Sequence, residues 1–517
     1  MKLLHYILLL GTFLLIQFAN AQPVSVITTI PPGTSSVDAA RIAAHVVPSE
    51  RQAAWQELEF TVFFHFGINT FAGLEWGNRE IKADIFKPVS LDAGQWIRTA
   101  KEAGAKLVIL VAKHHDGFCN WPSKFTEYSV KNSPWKNGKG DVVKEVSDAC
   151  RKYGLKFGIY VSPWDINSTV YGSEEYNVYF KNLLTEVLTQ YGTVDEVWFD
   201  GACGEGPNGK KQVYDWAGYY ELIRRLQPGA VIAVMGPDVR WVGTESGYGR
   251  ETEWSVVPLS ASFLDRIASA SQQTPGKQAF TPPGDMMQED IGSLEKISKA
   301  AGLIWYPSEV DVSIRPGWFY HEKEDSLVKS PDKLVDIYFS SVGRNSVLLL
   351  NLPPDKRGLI HENDVKSLRG MRAILDSVFR KNLAKGASVT AANTHPQSKT
   401  KSLTDDNPGT FWAAVKGDTS ATIRLSFKQP CTFSCLAISE FFRHGQRVSS
   451  FVLEVPEGDS WKPVASGTTI GYRRLLRFPP VTASEARIRI ISARDNPEIS
   501  EIGLYSLPAR LIPVTSH

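Results

Sequence analysis

Asp200 closes the run Glu196-Val-Trp-Phe199 and precedes Gly201, so a carboxylate stands at the end of an apolar strand beside aromatic rings. Alone, such an Asp is more often a helix cap than a nucleophile. Its company shifts the weight toward chemistry. Cleaving a glycosidic bond takes two carboxyl groups that flank it, one attacking the anomeric carbon and one protonating the leaving oxygen. Four further carboxylates, Glu205, Glu245, Glu251 and Glu253, follow within reach in sequence, and spacing does not choose among them.

Three histidines stand at similar positions. His65 ends one apolar run, and His114-His115-Asp116 ends the next. Imidazoles there can bind sugar hydroxyls or ligate a metal. A regular strand would send the adjacent His114 and His115 to opposite faces, which disfavours a shared metal unless the strand end bends. Tyr160, Trp164-Asp165 and Arg240-Trp241 complete a polar and aromatic set placed after successive apolar runs.

The elements that must hold these residues alternate between residues 55 and 355. Thr61–Phe64, Leu107–Ala112, Lys156–Val161, Glu196–Phe199 and Val231–Met235 read as strands, with Leu303–Trp305 and Val347–Leu350 as later ones. Ser90 can cap a helix through Trp96, Ile97 and Ala100 that Gly104 ends. Asp141 can cap one that Gly154 ends. Continuous apolar strands between helices predict a parallel sheet covered on both faces. About eight of them over about 300 residues suggest an α/β fold of the (β/α)8 barrel type, with a doubly wound sheet as the alternative. No Gly-rich phosphate loop follows the first strand. In a barrel, all the strand-end residues share one face, where active sites sit.

Beyond residue 360 the period changes. Asp364–Phe379 reads as a helix, and Ala421–Phe427, Phe451–Val455 and Ala486–Ile491 alternate as half-buried antiparallel strands of a β-sandwich. The expected division is a signal peptide at 1–21, a barrel at 22–360, a helical linker at 361–385 and a sandwich at 386–510.

Among the 517 residues, 57 Lys and Arg stand against 55 Asp and Glu, a net charge of +2 that gives no nucleic-acid footprint. Lys2, the apolar stretch Leu3–Ile16 and Ala19-Asn20-Ala21 predict a cleaved leader and an exported protein, periplasmic or secreted, without membrane insertion. The five cysteines are odd in number and sparse, which predicts buried thiols rather than a disulfide framework. The 14 Trp, 17 Tyr and 25 Phe suit sugar-binding faces, but a filled core explains them as well.

Several motifs carry a resemblance. Val62-Phe-Phe-His65-Phe-Gly67, Glu75-Trp76, Lys113-His-His-Asp-Gly-Phe118, Phe157-Gly-Ile-Tyr160, Trp198-Phe-Asp-Gly201 and Val347-Leu-Leu-Leu-Asn-Leu-Pro-Pro354 together resemble the α-L-fucosidases of glycoside hydrolase family 29. The resemblance spans about residues 50 to 360. It implies a retaining, exo-acting enzyme with Asp200 as nucleophile and no catalytic cofactor. It also implies that His65, Glu75, Trp76, His114, His115, Tyr160, Trp198 and Arg240 surround the fucose, with Trp318 against its methyl edge. Arg240-Trp-Val-Gly-Thr-Glu245 resembles the subgroup acting on α-1,3/1,4-fucosyl branches, which implies Glu245 as acid/base and Lewis-type glycans as substrates. On this reading Asp200 stays ionised with a low pKa, and Glu245 starts protonated with a raised one. A metal-dependent hydrolase using His65, His114 and His115, and a non-catalytic glycan-binding protein, are the competing readings.

Leu403-Thr-Asp-Asp-Asn-Pro-Gly-Thr-Phe-Trp412 and Ile499-Ser-Glu-Ile-Gly-Leu-Tyr505 resemble discoidin-like carbohydrate-binding modules. That likeness implies a structural Ca²⁺ that Asp405, Asp406 and Glu501 could hold. A sandwich that only supports the barrel is the plainer expectation.

Overall fold

The computed structural model describes residues 25–263 and 290–513; the expected leader at 1–21 lies outside them. Eight strands form one parallel sheet: β1 Phe60–Phe64, β2 Leu107–Lys113, β3 Lys156–Val161, β4 Glu196–Phe199, β5 Val231–Val234, β6 Arg240–Trp241, β7 Ser308–Ser313 and β8 Val347–Asn351. Their spatial order is β5-β4-β3-β2-β1-β8-β7-β6, and a parallel bridge from Ala233 to Val239 brings the two edges together. The sheet is therefore a nearly closed barrel, not a doubly wound sheet. Helices α1 Ala93–Ala103, α2 Val142–Tyr153, α3 Glu174–Thr189, α4 Trp216–Leu226, α5 Pro331–Ser341 and α6 Glu362–Phe379 complete the layer. They cover the strands so fully that every residue of β2 is buried. Each large apolar side chain so buried contributes ~1.5–3 kcal/mol.

The helix boundaries follow local chemistry. Asp141 caps α2 by accepting from Lys144 N, and Gly154 ends it in the left-handed region at φ 73°. Gly104 ends α1 at φ 98°, but the cap at its start is Asp92, which accepts from Gln95 N, rather than Ser90.

Two strand expectations need correction. Leu303–Trp305 is a strand, but it lies in a separate antiparallel sheet with Ile27–Thr29 and Val256–Pro258. The barrel strand in that region is β7, whose alternating Ser308-Glu-Val-Asp-Val-Ser313 does not look like a continuous apolar run. Arg240-Trp241, expected to follow a strand, is itself β6 and pairs with Ser308 and Glu309.

Residues 388–505 form a seven-stranded antiparallel sheet domain, with long strands at Ala421–Glu440 and Arg474–Ala493. Its core is built from alternating positions such as Ile423, Leu425, Ile488 and Ile490, all fully buried, over Trp412 and Phe451. One foothold on the barrel is Glu59, which accepts from Arg473 at 2.7 Å and from the Tyr472 hydroxyl at 3.1 Å. Cys119, Cys150, Cys203 and Cys435 are buried and Cys431 is half-buried, all as free thiols. Among the described residues no helix is long and apolar enough to cross a membrane.

Candidate active site

Strand register decides which side chains enter the barrel. Tyr160 and Trp198 are register partners on β3 and β4, and Phe63 of β1, two residues lower in register, shares their inward face. Their rings meet edge-on or tilted, with Phe63 5.1 Å from Trp198 and Tyr160 5.2 Å from Trp198. One step further along, at the C-terminal strand ends, come His65 and Asp200.

Asp200 keeps 23% of its side chain exposed at the mouth of this aromatic funnel. Its Oδ1 accepts from Ala202 N at 2.7 Å, and its Oδ2 accepts from the Tyr160 hydroxyl at 3.2 Å. Burial, with the Glu245 charge adding to it, pushes its carboxyl up to about 6 against the pull of these hydrogen bonds. The low pKa expected from the sequence is thus corrected. The nearest ring nitrogen, His115 Nε2 at 3.8 Å, is not cationic, so it does not offset the loss of water.

Two of the three histidines, His65 and His115, have tautomers fixed by their Nδ1 partners. The Ser162 hydroxyl donates to Trp164 O at 2.9 Å, so it accepts from His115 Nδ1 at 2.7 Å. Asn351 Nδ2 donates to Ser313 Oγ and Trp318 O, so its Oδ1 accepts from His65 Nδ1 at 2.8 Å. Both Nε2 atoms are then acceptors for a ligand hydroxyl. Burial keeps the rings neutral: His65 is pushed down to about 4, and His114 and His115 well below their ordinary value. His114 stacks toward Tyr160, with ring centres 5.8 Å apart. Among the described residues no group of three or more His, Cys, Asp or Glu side chains is arranged to hold a metal.

Trp76 and Trp318 wall the opening. Trp76 lies edge-on to His115 at 5.0 Å, and Trp318 is tilted over His65 at 5.1 Å. Glu75 serves the loop rather than standing free in the pocket. Its Oε2 accepts from the backbone N of Trp318 at 3.0 Å and of Phe319 at 3.3 Å, and its Oε1 meets His321 Nε2 at 2.6 Å.

Arg240 is not brought to the site. It sits where β6 begins and is buried, bound to Glu253 and to the carbonyls of Tyr306 and Trp254. Its neighbour Trp241 takes the inward position instead, because side chains alternate along a strand.

The four candidate second carboxylates now separate. Glu253 is buried against Arg240 and Arg250. Glu251 pairs with Arg344 and Arg474. Glu205 sits in an exposed bridge with Lys211. Glu245 is exposed, its Oε2 accepts from Trp318 Nε1 at 3.2 Å, and its charge is felt by Asp200.

Two acids on β7 were missed by sequence reasoning. Glu309 Oε1 accepts from Trp198 Nε1 at 2.7 Å, and Asp311 Oδ1 accepts from Trp241 Nε1 at 2.7 Å. Glu309 Oε2 and Glu196 Oε1 are both buried with no hydrogen-bond partner among the described residues, and the two carboxyls lie close enough to act on each other. Glu196 Oε2 accepts from Trp55 Nε1 at 2.9 Å. Two anions this close in a dry interior are not tolerated, so one proton lies between them, and burial raises both carboxyls. The signal in the sequence was the acid–apolar alternation of Glu309-Val-Asp311.

In the sheet domain, Asp406 N donates to Glu501 Oε2 at 3.1 Å, Asp406 pairs with Lys385, and Asp405 accepts from Thr410 at 2.8 Å. Among the described residues Glu501 Oε1 has no hydrogen-bond partner. Burial, then Asp406 and Asp405, pushes this carboxyl up to about 8.

Residues 43–377 match the family model described as alpha-L-fucosidase, and residues 387–503 match that of the F5/8 type C domain. Alpha-L-fucosidase 1 of Arabidopsis thaliana is 41% identical over 469 residues, covering 89% of this chain and 87% of its own. A glycoside hydrolase family 29 fucosidase from Ruminococcus gnavus, solved in complex with fucose, superposes with a TM-score of 0.79 at 31% identity over 94% of this chain and 98% of that one. A family 29 member from an unknown rumen bacterium gives 0.74 at 38% identity, covering 91% and 78%.

Proposed function

Because the chain belongs to the α-L-fucosidase family of glycoside hydrolases, we propose that it cleaves terminal α-1,3/1,4-linked L-fucose from branched, Lewis-type glycans with retention of configuration. Asp200 is the nucleophile and Glu245 the acid/base. The observation that carries this reading is that Asp200, at the mouth, feels the charge of Glu245. Among the candidates weighed, Glu245 alone is felt by Asp200, and the others are committed to arginines or lie in an exposed bridge.

In the first step Asp200 attacks the anomeric carbon while Glu245 gives its proton to the leaving oxygen. In the second, Glu245 takes a proton from water, and that water displaces Asp200. Neutral His65 and His115 present Nε2 acceptors to the sugar hydroxyls, and a hydroxyl donor fits between His115 Nε2 and Asp200 Oδ2. Trp198, Trp76 and Trp318 offer faces to the apolar edge of a 6-deoxy sugar. No step requires a metal or an organic cofactor.

The loop position of Glu245 supports the branch preference. An exposed acid can be placed by the neighbouring branch sugar, so remote binding serves the chemistry. Mass spectrometry after reaction with a 2-fluoro-fucosyl donor tests the nucleophile; a label on any residue other than Asp200 sinks it. Faster cleavage of an α-1,2-fucosyllactose than of Lewis trisaccharides sinks the linkage alone.

Two further readings belong with this one. Export rests on the N-terminal run Lys2 to Ala21, and a mature chain beginning at Gln22 would support it. A structural Ca²⁺ at Asp405, Asp406 and Glu501 rests on the unpartnered Glu501 oxygen, although these side chains are not now arranged as a metal-ligating group.

A further inference from the structure

The segment that carries Glu245 is fastened from outside the barrel. It leaves β6 at Val242, turns in the left-handed region at Gly243 (φ 100°), and lands at Gly247 (φ 84°). An added Cβ at Gly247 would lie 3.1 Å from Ile337 and Val312, so the landing is tight. From there the fastenings lead into the C-terminal sheet domain. The Tyr248 hydroxyl donates to Asp336 Oδ2 at 2.5 Å, and Arg477 donates to the other oxygen of Asp336 at 2.6 Å. Arg474 holds the Glu251 carboxylate at 3.0 Å and its carbonyl at 2.5 Å. Thr252 Oγ1 donates to Thr468 Oγ1 at 2.9 Å, Glu253 N donates to Thr469 Oγ1 at 3.0 Å, and Gln446 Nε2 donates to Glu253 O at 2.9 Å.

Five residues of the second domain thus grip four of the six residues from 248 to 253, namely Tyr248, Glu251, Thr252 and Glu253, directly or through Asp336. Glu245 stands three residues before the first grip, exposed, and accepts from Trp318 Nε1. A free loop that size would sample many positions, and holding its base removes most of that freedom. We propose that the C-terminal domain is a positioning module for the acid/base: through Arg477–Asp336–Tyr248 and Arg474–Glu251 it fixes the platform on which Glu245 rides. The proposal rests on the reading of Glu245 as acid/base. It assigns the domain a part in turnover that does not depend on its binding sugar.

The foothold at Glu59 supplies a control, because the side chains of Arg473 and Tyr472 bind Glu59 there rather than segment 242–255. The test compares R477M and the double variant R474M/R477M with R473M. Each is assayed on a Lewis-type trisaccharide and on an aryl fucoside whose leaving group needs no proton. The double variant should lose about tenfold or more in kcat/KM on the trisaccharide and less than about threefold on the aryl fucoside. R473M should lower Tm yet leave the ratio of the two substrates unchanged. Equal losses on both substrates, or the same ratio change in R473M, overturn the proposal.

Glu245→Gln is run alongside. If it shows no leaving-group dependence, the acid/base reading has failed. If it shows that dependence and the arginine variants do not, the positioning role alone has failed. Hydrogen exchange across residues 243–250 reads the platform directly and applies to R477M even if the double variant does not fold. Faster exchange is expected, and unchanged exchange overturns the role whatever the kinetics show.

Discussion

The indole Nε1 of Trp318 donates to Oε2 of Glu245 across 3.2 Å, while the same ring lies 5.1 Å from that of His65. An indole N–H can only donate. The oxygen it meets therefore serves as an acceptor, and the better acceptor of a carboxylic acid is the oxygen without the proton, which favours an acid proton of Glu245 on Oε1. One side chain thus walls the pocket and biases which oxygen delivers the proton.

Trp318→Phe keeps the wall and removes the donor. Cleavage of oligosaccharides should fall about tenfold in kcat, since a hydrogen bond to a charged group contributes about 1.5–3 kcal/mol. Aryl fucosides with good leaving groups should change little in the first step. Equal losses on both substrates would mean that the ring matters and its N–H does not.

Asp200 sets an acid limb. Its carboxyl titrates at about 6 in the free protein, so kcat/KM should fall as pH drops through that value. Asp200→Asn should cut turnover by several orders of magnitude. The folded pKa lies above the ordinary carboxyl value, so stability is fully present below the unfolded pKa and is lost as pH rises through about 6. Melting temperature should therefore rise in Asp200→Asn at neutral pH and hardly change at about pH 4. A lower melting temperature at neutral pH would contradict the buried-carboxylate account.

Glu75 should affect binding more than chemistry. Glu75→Ala removes the acceptor for the backbone N–H groups of Trp318 and Phe319 and releases His321. The loop should loosen, and KM should rise for oligosaccharides and aryl fucosides alike. Glu75→Gln keeps one acceptor oxygen and should lie between. A selective loss on oligosaccharides would instead place Glu75 in the proton transfer.

Calcium separates the two domains. Chelation should leave turnover of an aryl fucoside intact. Added Ca²⁺ should raise the melting temperature of the chelated protein, and Glu501→Gln should abolish that rise. A rise that survives Glu501→Gln would move the ion elsewhere.

The barrel was legible in the sequence wherever strands are uniformly apolar, as in Leu107–Ala112. It was not legible at β7, because Glu309 and Asp311 point into the barrel and make the strand look half exposed. The apolar Leu303–Trp305 drew the assignment instead, since local pattern does not say which sheet a strand joins. Asp200, His65, His114 and His115 directly follow strands and Trp198 lies near the end of one, where the sequence placed them, whereas Trp76 and Trp318 lie in loops and entered only through the family resemblance. Arg240 did not, because a strand only two residues long, set beside the start of β7, has no visible period. Its partner Glu253 could be found only through the fold. The pKa of Asp200 was also out of reach, since it depends on the absence of a cation and on how deep the pocket lies.

The acid pair inside the barrel has a consequence for anyone hardening this protein against heat. Glu196 and Glu309 are unfavourable to bury, and even buried ion pairs, whose charges attract, are often replaced by apolar residues of similar volume at no cost or with a gain of about 1–4 kcal/mol. A screen that selects only for survival at high temperature would therefore be drawn to these two positions. The winners would leave the Trp198 and Trp55 indoles without acceptors, and Trp198 stands two residues before Asp200 on the same inward face. Heat tolerance and catalytic output should part company there, so variants at Glu196 and Glu309 need to be ranked on activity retained as well as on melting temperature.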